Sequence, residues 1–225
     1  MATPHPIRRS LLAAALKLGL TLGLGLATTA GAAPAAAPAP LAAADQALVD
    51  RASAYLGGLD EMKGRFVQTD PRGNTSQGEL YLKRPGRARF AYDPPSGQLV
   101  VSDGFNVSVS DPRLKTFDRY PLGSTPLSLF LAKDVRLDRG VQVTRVTRFS
   151  DGFALTARDS RHPNGGEVTL SFSDQPMRLR EWSLTSAQGQ VTRVRITSLE
   201  TASGLDPALF VLRDPRPGRN VGAHP

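Results

Sequence analysis

The chain of 225 residues contains no cysteine. That absence removes disulfides, thiol nucleophiles, cysteine-ligated zinc and lipid attachment to a cysteine after a signal sequence. Histidine is nearly as scarce: His5, His162 and His224 are the full set. Within the expected fold stands His162 alone, in the turn-like stretch RHPNGG. No Ser–His–Asp grouping, metal cluster or phosphate-binding glycine loop is present in recognisable spacing, so the chain reads as not an enzyme, with no cofactor and no metal. Aromatic residues make up 6% of the chain, with one tryptophan, and they do not alternate with basic runs. Nucleic acid is therefore not expected as a partner despite a net charge of +8. Beyond the first stretch, no apolar run is long enough to span a bilayer.

That first stretch has a grammar of its own. IRRSLLAAALKLGLTLGLGLATTAGAA joins a basic head (Arg8, Arg9) to an apolar run and small residues suited to cleavage near Ala30 to Ala33. Residues 1–33 read as a cleaved signal peptide, with general and twin-arginine export both open, and 34–41 as a Pro/Ala linker. A domain over 42–212 and a loose tail over 213–225 follow. The product is expected in the periplasm and is expected to act as a monomer. Arg8, Arg9 and Lys17 leave with the signal, so about +5 remains, a balance suited to anionic lipid or acidic partners.

The domain opens with an amphipathic helix in which Leu48, Val49, Ala52, Tyr55 and Leu56 recur at helical spacing and Gly57-Gly58 ends the pattern. The period then changes from about 3.6 to 2. Strands are expected at 61–69, 75–84, 87–92, 97–102, 105–110, 114–120, 141–149, 152–159, 166–173, 177–186 and 189–199, separated by turn signals such as DPRGN, DPPSG, SDG and HPNGG. Short links of this kind join antiparallel neighbours. One segment interrupts them: GSTPLSLFLAKD has Ser124 or Thr125 as N-cap, Pro126 at the first helical position and an apolar body of Leu127, Leu129, Phe130 and Leu131. LDPALF, Leu205 to Phe210, reads as one further helical turn. A sheet of about eleven strands must curl or close, and two apolar helix faces are available to cover its concave side.

Strand parity selects the residues that face the hollow: Phe66, Leu80, Leu82, Phe90, Tyr92, Leu99, Val101 and Trp182 among them. Arg84 falls in line with Leu80 and Leu82. A guanidinium aimed inward needs acceptors for its donors, and the last carbonyls of a helix C-terminus lack partners of their own. Two readings stand: Arg84 bonds the end of the inserted helix through two or three hydrogen bonds, or it sits at a strand end and reaches solvent past Pro85.

The stretch GELYLKRPGRARFAYDPP, the following LVVSDG, the TPLSLFL helix and the early GRFVQ together resemble the periplasmic outer-membrane lipoprotein carrier protein family, LolA, over about 42–212. The resemblance implies an incomplete, half-open antiparallel β-barrel with an α-helical lid over a hydrophobic cavity. It implies a periplasmic chaperone that binds lipoprotein acyl chains, receives them from an inner-membrane ATP-driven releasing complex, and passes them to an outer-membrane receptor or acceptor membrane. The family's lid-locking arginine falls on Arg84, a cavity aromatic on Phe90 and the lid on Pro126 to Leu131. The implied ligand-binding set is then Arg84, Phe66, Leu80, Leu82, Phe90, Tyr92, Leu99, Val101, Leu127, Leu129, Phe130, Leu131 and Trp182. Arg87 and Arg89 make the next strand more basic than the family pattern. A carrier or sensor of another amphiphilic lipid is the second reading left open by the residues themselves.

Overall fold

The described part of the chain begins where helical spacing predicts a helix. The computed structural model describes residues 41–125, 127–133, 135–137, 140–160 and 164–215, without the side chains of Leu129 and Phe130. The expected signal peptide, linker residues 34–40, Pro126, His162 and tail residues 216–225 lie outside the described residues. Helix α1 (Ala43–Gly57) buries Val49, Ala52 and Leu56 along one stripe, the spacing that an amphipathic helix presents to a core. Its Leu56 carbonyl accepts from Leu59 N–H, and the chain then turns into the first strand.

Eleven strands follow: β1 (Glu61–Thr69), β2 (Thr75–Lys83), β3 (Arg87–Tyr92), β4 (Leu99–Asp103), β5 (Asn106–Asp111), β6 (Thr116–Pro121), β7 (Val141–Phe149), β8 (Gly152–Asp159), β9 (Gly166–Asp174), β10 (Met177–Ser186) and β11 (Val191–Thr201). They form one antiparallel sheet in the order β6-β5-β4-β3-β2-β1-β11-β10-β9-β8-β7. The order departs from a simple meander at one place. β6 and β7 are neighbours in sequence but form the two edges, and β1 pairs β11 at the centre. The sheet is therefore curled but open. The chain from Leu122 to Gly140 joins the two edges, and it carries the short helix α2 (Leu127–Leu131). Ser124 and Thr125 donate their hydroxyls backwards to Pro121 O and Leu122 O at the 3₁₀ turn Leu122–Ser124, and Thr125 O accepts from Ser128 N–H in α2.

The concave face has two linked apolar halves. α1 packs over the β7–β10 half, with Phe153, Leu155, Leu170 and Phe172 beneath it. α2 covers the β2–β5 half through Leu127 and Leu131, over Leu80, Phe90, Val100, Val107 and Val109. Leu82, Trp182 and Leu199 touch both halves.

Three register shifts change which residues point inward. A shift between Leu179 and Glu181 places Leu179 and Trp182 on one face although they are three apart. A shift in β11 opposite Arg65 and Phe66 does the same for Ile196 and Leu199, and one in β7 for Val143 and Val146. Each is a bulge, in which one extra residue reverses the alternation beyond it.

The outer face carries a second, smaller contact. The 3₁₀ turn Pro207–Phe210, started by Asp206 accepting from Ala208 N–H, lies against β3 and β4. Leu205 N–H donates to Glu61 Oε2, Lys83 Nζ bonds Leu205 O, and Arg89 Nη1 bonds Leu209 O. Phe210 is left 2% exposed. Truncating it to alanine should cost about 3–5 kcal/mol, as for a large buried aromatic, read as a lowered unfolding midpoint in urea. A change under about 0.5 kcal/mol would show that the strap does not hold.

Candidate functional site: an apolar cavity under a helical cover

Register places the concave residues of β1 to β5 in rows. Met62, Leu82, Ala88, Ser102 and Val107 form the upper row. Gly64, Leu80, Phe90, Val100 and Val109 form the next. Between these rows, α1, α2 and the inner residues of β10 and β11 lies a cavity of about 50 Å³. Its walls are Leu56, Leu59, Met62, Leu80, Leu82, Ala88, Phe90, Leu127, Leu131, Leu179, Trp182, Ile196 and Leu199, with Arg84 as the one charged group among the described residues. Phe90 meets Trp182 edge to face at 6.0 Å and Phe66 at 5.5 Å between ring centroids, so the aromatic walls are braced by quadrupole-favoured geometry.

Arg84 stands just past β2. Its Nη1 donates to Ala132 O at 3.3 Å, the carbonyl directly after α2. The neighbouring Leu131 carbonyl is taken by Gly86 N–H at 2.8 Å. The turn Arg84-Pro85-Gly86 thus holds two of the carbonyls that a helix C-terminus leaves without partners. The expectation of two or three guanidinium bonds is corrected: among the described residues the guanidinium makes one to the cover, and a backbone N–H supplies the second. Arg84 is half-buried rather than extended into water, and its Nε is buried without an acceptor among the described residues. Burial pushes its pKa below the ordinary value, while the Asp60 carboxylate acts in the opposite direction.

The turn has little freedom of its own. Gly86 has φ +78°, and a Cβ there would come within 2.7 Å of Gly104 Cα. Ser102 Oγ donates to Gly86 O at 2.6 Å. The KRPG end of β2 and the SDG turn after β4 are therefore interlocked, which is why these two motifs matter together.

Seven of the thirteen expected site residues border the cavity: Arg84, Leu80, Leu82, Phe90, Leu127, Leu131 and Trp182. Phe66 and Tyr92 face inward but lie beneath it, in contact at 5.0 Å. Leu99 and Val101 are corrected to the opposite face. Phe90 pairs with Val100, so Leu99, opposite Ala91, and Val101, opposite Arg89, point outward. In LVV every residue is apolar, and a one-residue slip exchanges the faces. The side chains of Leu129 and Phe130 lie outside the described residues. Leu59, Met62, Leu179 and Leu199 were missed. Met62 follows from extending the parity of Phe66 through Gly64, whereas Leu179 and Leu199 depend on bulges with no local signal.

The site is thus an apolar hollow on the concave face of an open antiparallel sheet, under a helical cover. Comparison with known proteins gives the family. The family model for "Outer membrane lipoprotein carrier protein LolA" matches residues 57–213. A protein of Methylobacillus flagellatus named outer-membrane lipoprotein carrier protein is 32% identical, over 68% of this chain and 78% of its own. One of Chromobacterium violaceum with the same name is 28% identical, over 78% and 87%. A solved LolA superfamily protein from Nitrosomonas europaea aligns with TM-score 0.45 and 12% identity, over 75% of this chain and 97% of its own. The chain belongs to the outer membrane lipoprotein carrier protein family, LolA. The matched relatives are named as carriers, not enzymes.

The Gly86 geometry generates a prediction. Gly86→Ala places a side chain at positive φ, costing about 1–2 kcal/mol, and adds the contact with Gly104. The amide at position 86, bonded to Leu131 O, should exchange with deuterium about tenfold or more faster than in the parent. Unchanged protection at this amide would contradict the interlock.

Proposed function

We propose that the protein is a periplasmic carrier that shields lipoprotein acyl chains in this cavity while lipoproteins pass from the inner to the outer membrane. The observation that carries the proposal is an almost wholly apolar hollow closed by a cover attached at a half-satisfied arginine. In this reading Leu80, Leu82, Phe90, Trp182, Leu127 and Leu131 contact the chains, and Arg84 is the latch. An inner-membrane ATP-driven releasing complex loads it, and an outer-membrane receptor or acceptor membrane unloads it. The carrier works as a monomer after removal of its signal peptide.

Size supports a moving cover. A cavity of about 50 Å³ holds a few water-sized spheres, far less than an acyl chain. Loading requires α2 to leave Arg84 and Gly86, so the chains take the place of Leu127 and Leu131 against the sheet. Each methylene gains about 0.8 kcal/mol on leaving water, and a carrier that kept all of it would not release its cargo. Breaking the Arg84–Ala132 bond, worth about 1.5–3 kcal/mol for a charged donor, and lifting apolar side chains off the sheet offset part of that gain. These costs bring open and closed forms near enough in free energy for cargo to decide between them.

Arg84→Leu removes the latch while filling its place with hydrocarbon. The variant should still load but should release lipoprotein to acceptor vesicles roughly tenfold to a hundredfold more slowly, the ratio given by the lost bond. Lipoprotein should co-purify with it from the periplasm. Release at the parent rate would refute the latch. A Leu82→Gln variant, with a polar amide in the wall, should bind an apolar dye such as anilinonaphthalene sulfonate several-fold more weakly, and unchanged dye affinity would place the guest elsewhere.

A further inference from the structure

Below the cavity the concave face changes character. Descending β3, the inward residues are Ala88, Phe90 and Tyr92, and descending β4 they are Ser102, Val100 and Gln98. On β1, Phe66 is followed by Gln68. Tyr92 O–H donates to Gln68 Oε1 at 2.8 Å. Gln68 is 8% exposed, Tyr92 5% and Gln98 7%. Gln98 Nε2 is buried with no acceptor. Tyr92 and Gln98 thus continue the register row of Phe66 and Gly78, Gln68 stands one inward position further along, and all three lie buried toward the end of the half-barrel opposite the Arg84 turn. Burial raises the Tyr92 pKa well above its ordinary value, so its hydroxyl remains a donor. Polar side chains in a core are costly unless paired, and here one amide nitrogen is not paired, so packing alone is a poor reason for these three.

We propose that Gln68, Tyr92 and Gln98 form a chain-length stop, setting how deep an acyl chain enters and hence the longest chain that gains affinity. The proposal rests on the carrier reading. A chain end sliding down the hydrocarbon wall of Leu80 and Phe90 reaches the Phe66–Tyr92 contact. One methylene further in, affinity would rise about fourfold. Passing that contact separates Tyr92 from Gln68 where hydrocarbon offers no replacement. Leaving a buried polar group unpaired loses roughly fivefold to a hundredfold. The loss exceeds the gain, so the chain end stops above Tyr92, and further methylenes stay near the mouth.

The test is displacement of anilinonaphthalene sulfonate from the full mature protein by saturated fatty acids from dodecanoic to eicosanoic, below their micelle concentrations. For the parent, affinity should climb about fourfold per methylene and then level off. In Tyr92→Phe/Gln68→Leu, which replaces both partners of the bond, the plateau should move at least two methylenes longer. Gln98→Leu removes a donor that has no acceptor, so it should fold at least as well as the parent, and it should shift the plateau in the same direction. A parent series that never levels off, or variants whose plateau stays at the parent length, would overturn the stop while leaving the carrier reading intact. A parent that binds none of the acids would overturn both.

Discussion

The closed form depends on two carbonyls at the end of a five-residue helix. A helix this short gains little from its own hydrogen bonds, and α2 is held where it is by what receives it. Leu131 O and Ala132 O are met by Gly86 N–H and the Arg84 guanidinium, while Leu127 and Leu131 lie on the β2–β5 wall. The receiving turn is rigid because Gly86 abuts Gly104 and is bonded by Ser102. A firm anchor thus meets a cover with little stability of its own.

This division of roles follows from topology. Because β1 pairs β11 and the edges are β6 and β7, the described residues between Gly123 and Leu137 take no part in a strand pair, whereas Leu122 N–H on Phe105 O and Ser160 N–H on Gly140 O tie the two ends of the segment to the sheet. α1 is different: it is fifteen residues long and covers Phe153 and Phe172 over the other half, with Arg148 bonded to Asp45 and Arg51 to Asp174 along its length. The hollow lies between a long, ion-paired helix and a short one. The proposed carrier cycle needs that asymmetry, since a cavity with two fixed walls of this size admits no long chain.

Much of the fold was legible because strands and turns alternate with clear period and punctuation. SDG, DPPSG and SAQGQ mark turns by the residues those turns require. Arg84 was legible in part: a charge on an apolar face demands a partner, and of the two readings its spacing left open the structure has the helix end, through one bond. What escaped was non-local. Leu99 and Val101 were misplaced because three consecutive apolar residues carry no parity. Leu179 and Leu199 escaped because bulges shift alternation through pairing with a neighbouring strand. The bond between Gly86 and the cover could not be read from a glycine that already serves a turn. Gln68 and Gln98 gave no signal either, since a glutamine at an inward position reads as an edge residue until its burial is known.

The central claim is that α2 leaves the barrel when an acyl chain enters. The lack of native cysteine allows two to be introduced for spin labels, one at Lys133 just past α2 and one at Thr75 at the far end of β2, both exposed. The distance distribution between them should be narrow without ligand and should shift to a distinct, broader population when hexadecanoic acid saturates the protein. An unchanged distribution with the acid demonstrably bound would contradict the account.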